Sequence, residues 1–276
     1  MLPTALIVFR EVLEASLIVS IVLAASRGVA GRGWWVGGGL IGGLAGAALL
    51  ALFADALSNL ASGFGQEYFN AAVMFVAVAM LGWHSIWMSR HSREMARQIA
   101  EVGKAVASGT RPLAGLAIVV GAAVLREGAE AVLFLYGVLV SSPGQKPEMA
   151  LGGVLGLAGG VFLGYAMYAG LLQIPLKRLF TVTNALIVLL AAGMASQGIG
   201  FLISADLVPT WGDAVWDTSG LLDETSLLGK MLHALIGYTA RPAGTQIVAY
   251  VVTAVTIVLL SRVAAGREAY RHAVRH

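Results

Sequence analysis

The chain has 276 residues, 58% of them hydrophobic and 12% charged, with a mean hydropathy of +0.82 and no cysteine. These values lie outside the range of soluble globular domains, and they exclude disulfides, thiolate metal sites and cysteine nucleophiles. A formal net charge of +3 is too small to suggest nucleic acid as a partner, so the distribution of charge carries more information than its sum.

Runs of about 20 apolar residues mark transmembrane helices. Seven are expected, over residues 3–26, 34–57, 67–89, 113–140, 148–172, 180–204 and 245–262. None shows the ten-residue alternation of a β-barrel, so the fold class is all-α and the protein a polytopic membrane protein. The first run lacks a basic region before it and carries charge, so it is expected to stay as a helix rather than be cleaved. Glycine is abundant, at 35 residues, which suits helices packed closely in lipid.

The first run contains Arg10-Glu11-Val12-Leu13-Glu14, and the fourth contains Arg126-Glu127-Gly128-Ala129-Glu130. One charge near the centre of a membrane helix costs at least about 2.5–3.5 kcal/mol on insertion scales. Six of them therefore require pairing and a function. The other five runs are nearly free of charge. Of the connections, 90–112 places Arg93, Glu94, Arg97, Glu101 and Lys104 at helical intervals and is expected to form a short cytoplasmic helix. The 205–244 connection is acidic, with Asp206, Asp213, Asp217, Asp223 and Glu224 beside Trp211 and Trp216. It reads as a solvated external loop with interfacial aromatics, or as a vestibule that attracts cations.

Orientation follows from the basic residues of the connections. Arg27, Arg32, Arg90, Arg93, Arg97, Lys104, Arg111, Lys177, Arg178, Arg262, Arg267, Arg271 and Arg275 fall on one side of a seven-span chain, and only Lys146, Lys230 and Arg241 on the other. The positive-inside rule then places the N-terminus outside and the C-terminus inside.

The motif also reveals a repeat. Aligning Arg10 with Arg126 pairs Leu6-Ile7-Val8-Phe9 with Ala122-Ala123-Val124-Leu125; the next spans pair Gly38, Gly42 and Gly46 with Gly152, Gly156 and Gly160, and the third spans pair Phe69 with Phe180 and Gly82 with Gly193. Three spans per copy is an odd number, so the copies are inverted in the membrane, as in many secondary transporters. The expected organisation is a first three-helix repeat (1–89), a cytoplasmic connection (90–112), a second inverted repeat (113–204), an external acidic loop (205–244), and a seventh helix with a basic cytoplasmic tail (245–276).

On a helix the Arg and two Glu of each motif fall at about 0°, 100° and 40°, so they share one side. Each Arg reaches its i+4 Glu, and antiparallel packing brings Glu11, Glu14, Glu127 and Glu130 together with Arg10 and Arg126. Four carboxylates against two guanidiniums suit a hard cation and do not suit an anion. A purely structural ionic core needs only one compensated pair per helix, and a di-metal oxidase needs a Glu-x-x-His that neither motif has. Binding to such a cluster displaces protons, so uptake is expected to depend on pH.

Arg-Glu-x-x-Glu in the first and fourth of seven spans resembles the iron permease family of the fungal high-affinity iron permease and bacterial EfeU. Trp216-Asp217-Thr218-Ser219, Gly237-Tyr238, Arg241-Pro242 and Tyr250 resemble that family's last loop and final span. The resemblance implies an iron importer of the plasma membrane, the inner membrane in a bacterium, with the four Glu as metal ligands and no cofactor beyond the transported ion. That ion is Fe³⁺, favoured by four carboxylates as the harder ion, or Fe²⁺. It further implies an extracytoplasmic oxidase, or a periplasmic iron-binding protein with a peroxidase, as partner. Val12 departs from the family's Gly in the first motif, which bears on helix packing there. A permease for another divalent metal such as manganese or lead, and a non-transporting receptor or scaffold, are the alternative readings.

Three more residues are candidates for the ion's way in or out. They are Glu67 and Asp206 at the outer side and His84, between Trp83 and Trp87, toward the inner side. Asp55, His91, His272 and His276 read as solvated, and Met74, Met80, Met88, Met167 and Met194 as packing. Asn184 and Gln197 are placed to bond across helices or line the path. The glycine faces serve internal packing or a homo-oligomer.

Overall fold

The computed structural model describes residues 1–61, 66–141, 146–170, 176–212, 214–224 and 226–274. Eight helices are present among them: α1 (Leu2–Ala25), α2 (Arg32–Ala61), α3 (Gln66–Ala107), α4 (Ala114–Ser141), α5 (Lys146–Tyr168), α6 (Leu176–Ser204), α7 (Leu227–Ile236) and α8 (Gly244–Val274). No strand occurs among the described residues. Five helices, α2, α3, α5, α6 and α8, are long and apolar enough to cross a membrane. The two other long helices, α1 and α4, carry three charges each, and those charges organise the bundle.

Two apolar clusters sit at different levels. Ile7 of α1 shares one with Met74, Ala77 and Leu81 of α3, Phe134 and Val138 of α4, Ile187 and Met194 of α6, and Ile257 of α8. The other joins Ile18 and Val22 of α1, Val36 of α2, Ile99 and Val106 of α3, and Leu116, Val120 and Val124 of α4. The early part of α1 thus meets the late part of α4 and the reverse, so the two helices run antiparallel. Residues 10–14 and 126–130 fall in the layer between the clusters. Many large apolar side chains point outward, among them Ile41, Leu49 and Phe53 on α2 and Phe162 on α5. Such surface belongs against lipid rather than water.

The outer helices pack through glycine. Along α2, Gly39 backs onto Ala117 of α4, Gly43 onto Gly121 and Val124, and Gly46 onto Leu125. Along α5, Gly152 backs onto Met1 just before α1, Gly156 onto Ala5 and Val8, and Gly159 onto Phe9. A Cβ at Gly43 would lie 2.7 Å from Val124 Cβ, and one at Gly156 3.0 Å from Val8 Cβ. The expected pairing of Gly38 and Gly42 is therefore one residue out of register, because those two glycines meet nothing within 4 Å. The motif positions complete the pattern with the sizes exchanged: Gly160 on α5 faces Val12, whereas Ala47 on α2 faces Gly128. Val12 is accommodated because its neighbour is the smallest residue.

Two connections differ from expectation. The separate helix expected in 90–112 is the continuation of α3, which runs 42 residues, about 63 Å at 1.5 Å per residue. No Gly or Pro interrupts it between Gly82 and Gly103. Arg97 pairs with Glu101 at 3.1 Å on its exposed side, Ile99 and Val106 join the apolar cluster, and Gly103 lets Ala25 approach.

The 205–244 connection is a folded cap rather than a loose loop. Ser226 caps α7 by accepting from Gly229 N at 3.0 Å, and Gly237 ends it at φ +71° with its backbone against Gly193 of α6. Val215 N and Thr218 N donate to Pro242 O and Ala240 O, both at 3.0 Å. Tyr238 OH joins Thr218 Oγ1 at 2.6 Å and donates to Leu222 O at 3.0 Å, and Glu224 accepts from Ala240 N. Arg241 pairs with Asp217 at 2.8 Å, and together with Ser219 it holds that carboxyl well below the usual carboxylate range. Gln197 is drawn into the cap by His233, whose Nδ1 donates to Tyr238 O at 2.7 Å while Nε2 lies 3.0 Å from Gln197 Nε2.

The side chains of Asp55, Met88, Arg90, His91, Arg93, Lys146, Lys177, Arg178, Phe180, Lys230, Arg267, Arg271 and His272, and all of Asp213, Arg275 and His276, lie outside the described residues.

Gly160→Ala is expected to lower the melting temperature of the detergent-solubilised protein, since the new methyl would sit 2.9 Å from Val12 Cβ. Adding Val12→Gly recreates the pairing of Gly128 with Ala47 and recovers part of the loss, since the new methyl still meets Phe9 O at 2.9 Å.

Candidate metal centre

Each motif occupies the middle of its helix, where every backbone group is already bonded within the helix, so its side chains alone decide the local chemistry. Arg10, Glu11, Glu14, Glu127 and His84 are all at most 4% exposed. On α1, Arg10 Nη1 donates to Glu11 Oε1 at 3.3 Å, and its Nε lies 3.1 Å from Glu14 Oε1. On α4, Arg126 Nε donates to Glu130 Oε1 at 3.0 Å and lies 4.0 Å from Glu127 Oε1. Each Arg therefore sits between its own two carboxylates, as the spacing predicts.

The two motifs meet through a residue of a third helix. His84 of α3 has Nε2 3.5 Å from Glu14 Oε2 and Nδ1 directly against Glu130 Oε2. It lies between the motifs rather than at the inner end of a span. The sequence signal was a His between Trp83 and Ser85 in an apolar run, and ending that span at 89 disguised its depth in a helix that continues to 107. Ser85 donates to Asn184 of α6 at 2.6 Å, which locks α3 against α6 beside the imidazole.

The halves differ in exposure. The Arg10 side chain is 4% exposed and that of Arg126 35%. Arg126 stacks on Trp87, 4.3 Å from the ring centroid, which lowers the cost of leaving the guanidinium at the bundle surface. A groove of about 620 Å³ between α3 and α4 reaches His84, Arg126 and Glu130, with Val76, Ala79, Met80, Trp83 and Trp87 as its remaining lining.

The cluster is rich in unused acceptors. Glu11 Oε2 and Glu127 Oε2 are buried with neither a hydrogen bond nor an ion pair among the described residues, Glu14 is held only by Arg10 and the imidazole, and Glu130 Oε2 only by the imidazole. Burying such oxygens unpaired is costly, and a cation among them removes the cost. Two sets have ligand atoms within 4.8 Å of one another: Glu11, Glu14 and His84, and Glu11, Glu127 and Glu130. Ligands placed about 2.0–2.6 Å from a common ion have such separations. Glu67, exposed in the first turn of α3, and Asp206, exposed after α6 with φ 56°, stand apart from the cluster. Met74 and Met194 pack in the apolar core, as expected.

The Iron permease FTR1 family matches residues 1–273. This chain belongs to that family. The permease is similar to the ferrous iron permease EfeU of Escherichia coli O6:K15:H31 (strain 536 / UPEC), with 34% identity over 246 residues, 88% of each chain. It is similar also to the ferrous iron permease EfeU of Yersinia pestis, with 30% identity over 259 residues, 92% of this chain and 91% of the relative. No solved structure matches it. The protein is accordingly an iron-transporting permease of a membrane, with several helices able to span it.

Because Arg10 is closed in on all sides and Arg126 is not, Arg10→Leu is expected to destabilise the solubilised permease by about 3–5 kcal/mol, as breaking a buried ion pair does. Arg126→Leu should cost clearly less, and thermal melting compares the two.

Proposed function

We propose that the permease imports iron across the plasma membrane through one site formed by Glu11, Glu14, Glu127 and Glu130, with Arg10 and Arg126 offsetting half of its negative charge. The observation that carries this reading is the group of unbonded, buried carboxylate oxygens drawn from both motifs and held between two apolar clusters. An ion there exchanges its water for protein oxygens while apolar layers on either side hold back leakage. The relatives are named as ferrous iron permeases, which favours Fe²⁺ as the cargo form.

The chain crosses the bilayer seven times in this reading, through α1 to α6 and α8, with the N-terminus outside. Residues 1–89 and 113–204 form inverted three-helix units. The glycine contacts support the relation: Ala5, Val8 and Phe9 meet α5 as Gly121, Val124 and Leu125 meet α2, and Gly152, Gly156, Gly159 and Gly160 take the places of Gly39, Gly43, Gly46 and Ala47. An inverted pair around a midplane site suits alternating access.

Glu14→Ala and Glu130→Ala are each expected to abolish iron uptake into cells while the protein still inserts in the membrane. Normal uptake by either variant sinks the assignment. Arg126→Lys should also impair uptake, because an ammonium neither forks to two carboxylates nor stacks as a planar group on Trp87.

A further inference from the structure

The four carboxylates do not explain why a nitrogen is built into their midst. Oxygen ligands alone bind Mg²⁺, Ca²⁺ and Mn²⁺ as readily as their charge allows. His84 is 3% exposed, comes from neither motif, and touches one carboxylate of each. Under the pairing of Gly82 with Gly193, its counterpart in the second unit is Ala195, so the nitrogen exists in one half only.

The imidazole is also oriented as a metal ligand is. A histidine that binds a metal through one ring nitrogen characteristically donates the other N–H to a carboxylate, which fixes the tautomer and the ring plane. Here Nδ1 faces Glu130 Oε2, and Glu130 is itself held by Arg126, which rests on Trp87. Nε2 is turned toward Glu14 Oε2 at 3.5 Å, and the other oxygen of Glu14 is held by Arg10 Nε at 3.1 Å. Two ligand atoms 3.5 Å apart are spaced as neighbours around one cation are, each about 2.0–2.2 Å from it. The set Glu11, Glu14 and His84 therefore offers two carboxylates and one nitrogen, whereas Glu11, Glu127 and Glu130 offers oxygen only. Glu11 belongs to both.

We propose that the permease holds two overlapping ion positions sharing Glu11, and that His84, as nitrogen ligand of one of them, makes the pathway select a borderline divalent cation such as Fe²⁺ over the harder Mn²⁺, Mg²⁺ and Ca²⁺. The inference rests on the proposed transport site and adds its selectivity residue. Imidazole suits iron, and site affinity for Fe²⁺ exceeds that for Mn²⁺ in the ordinary order of divalent metals, a gap that a nitrogen ligand widens and a carboxylate narrows. Movement of the ion from one set to the other exchanges Glu14 and His84 for Glu127 and Glu130 while Glu11 stays bound.

The test uses the full-length permease in liposomes under anaerobic conditions, with Fe²⁺ and Mn²⁺ as competing probes. His84→Glu replaces the nitrogen by an oxygen of similar reach, and His84→Gln removes the strong donor. The expected result is that His84→Glu still moves Mn²⁺ while its Fe²⁺/Mn²⁺ flux ratio falls by about tenfold or more, the smallest loss that substitutions around metal ligands commonly produce. Glu127→Gln, which keeps His84, should lower both fluxes and leave the ratio unchanged. An unchanged ratio in His84→Glu overturns the proposal. So does parallel loss of both ions in folded His84→Glu and His84→Gln, which is the mark of a structural residue. A ratio that collapses in Glu127→Gln overturns it as well, whether or not the His84 variants fold. Failure of the wild type to move Fe²⁺ at all is distinguishable from these, because it removes the transport reading itself.

Discussion

The structure depends on a layer of buried charge. Arg10, Glu11, Glu14, Glu127 and His84 are almost wholly withdrawn from solvent, with Arg126 and Glu130 at the edge of the layer. Neither α1 nor α4 can carry its three charges into an apolar medium alone at modest cost. Each Arg neutralises part of its own motif, α3 adds an imidazole between the two, and four carboxylates still stand against two guanidiniums. The apolar clusters on either side of the layer are what make that charge count, since they exclude water from it.

Close approach of the helices is the condition for the layer to form. Glycines on α2 and α5 bring each of these helices against the back of a motif helix, so the carboxylates are pressed toward each other and the apolar outer faces are left for lipid. The pairings Val12 with Gly160 and Gly128 with Ala47 fill the same gap with the large and small partners exchanged. A departure in one helix is thereby absorbed in its neighbour, and the motif carboxylates keep their level.

The cap over α6 and α8 adds a second kind of order. Its polar groups are spent on one another: Asp217 on Arg241, Glu224 on Ala240, Tyr238 on Thr218 and Leu222, and His233 on Tyr238 and Gln197. Acidic residues that read as a solvated loop or as a vestibule are thus partly structural. Gln197, which like Asn184 could equally have lined a path, is tied to the cap.

Composition and periodicity were enough to set the helices, because burial in lipid leaves backbone groups no alternative to internal bonding. The motif spacing likewise set which carboxylates each Arg holds, since i and i+4 are neighbours on any helix. Tertiary structure decided the rest. Where α3 ends was hidden because its charged C-terminal half continues the same helix, with Ile99 and Val106 buried and Arg97 exposed. The register of the glycine faces was misread by one residue because Gly37, Gly38 and Gly39 are identical in sequence and only packing tells them apart. His84 could not be placed in the centre because nothing within one helix determines its depth relative to two others. The sequence alone determined that two sets of carboxylates lie within long apolar helices; only the packing of α1, α3 and α4 decided that they come together and that a nitrogen stands between them.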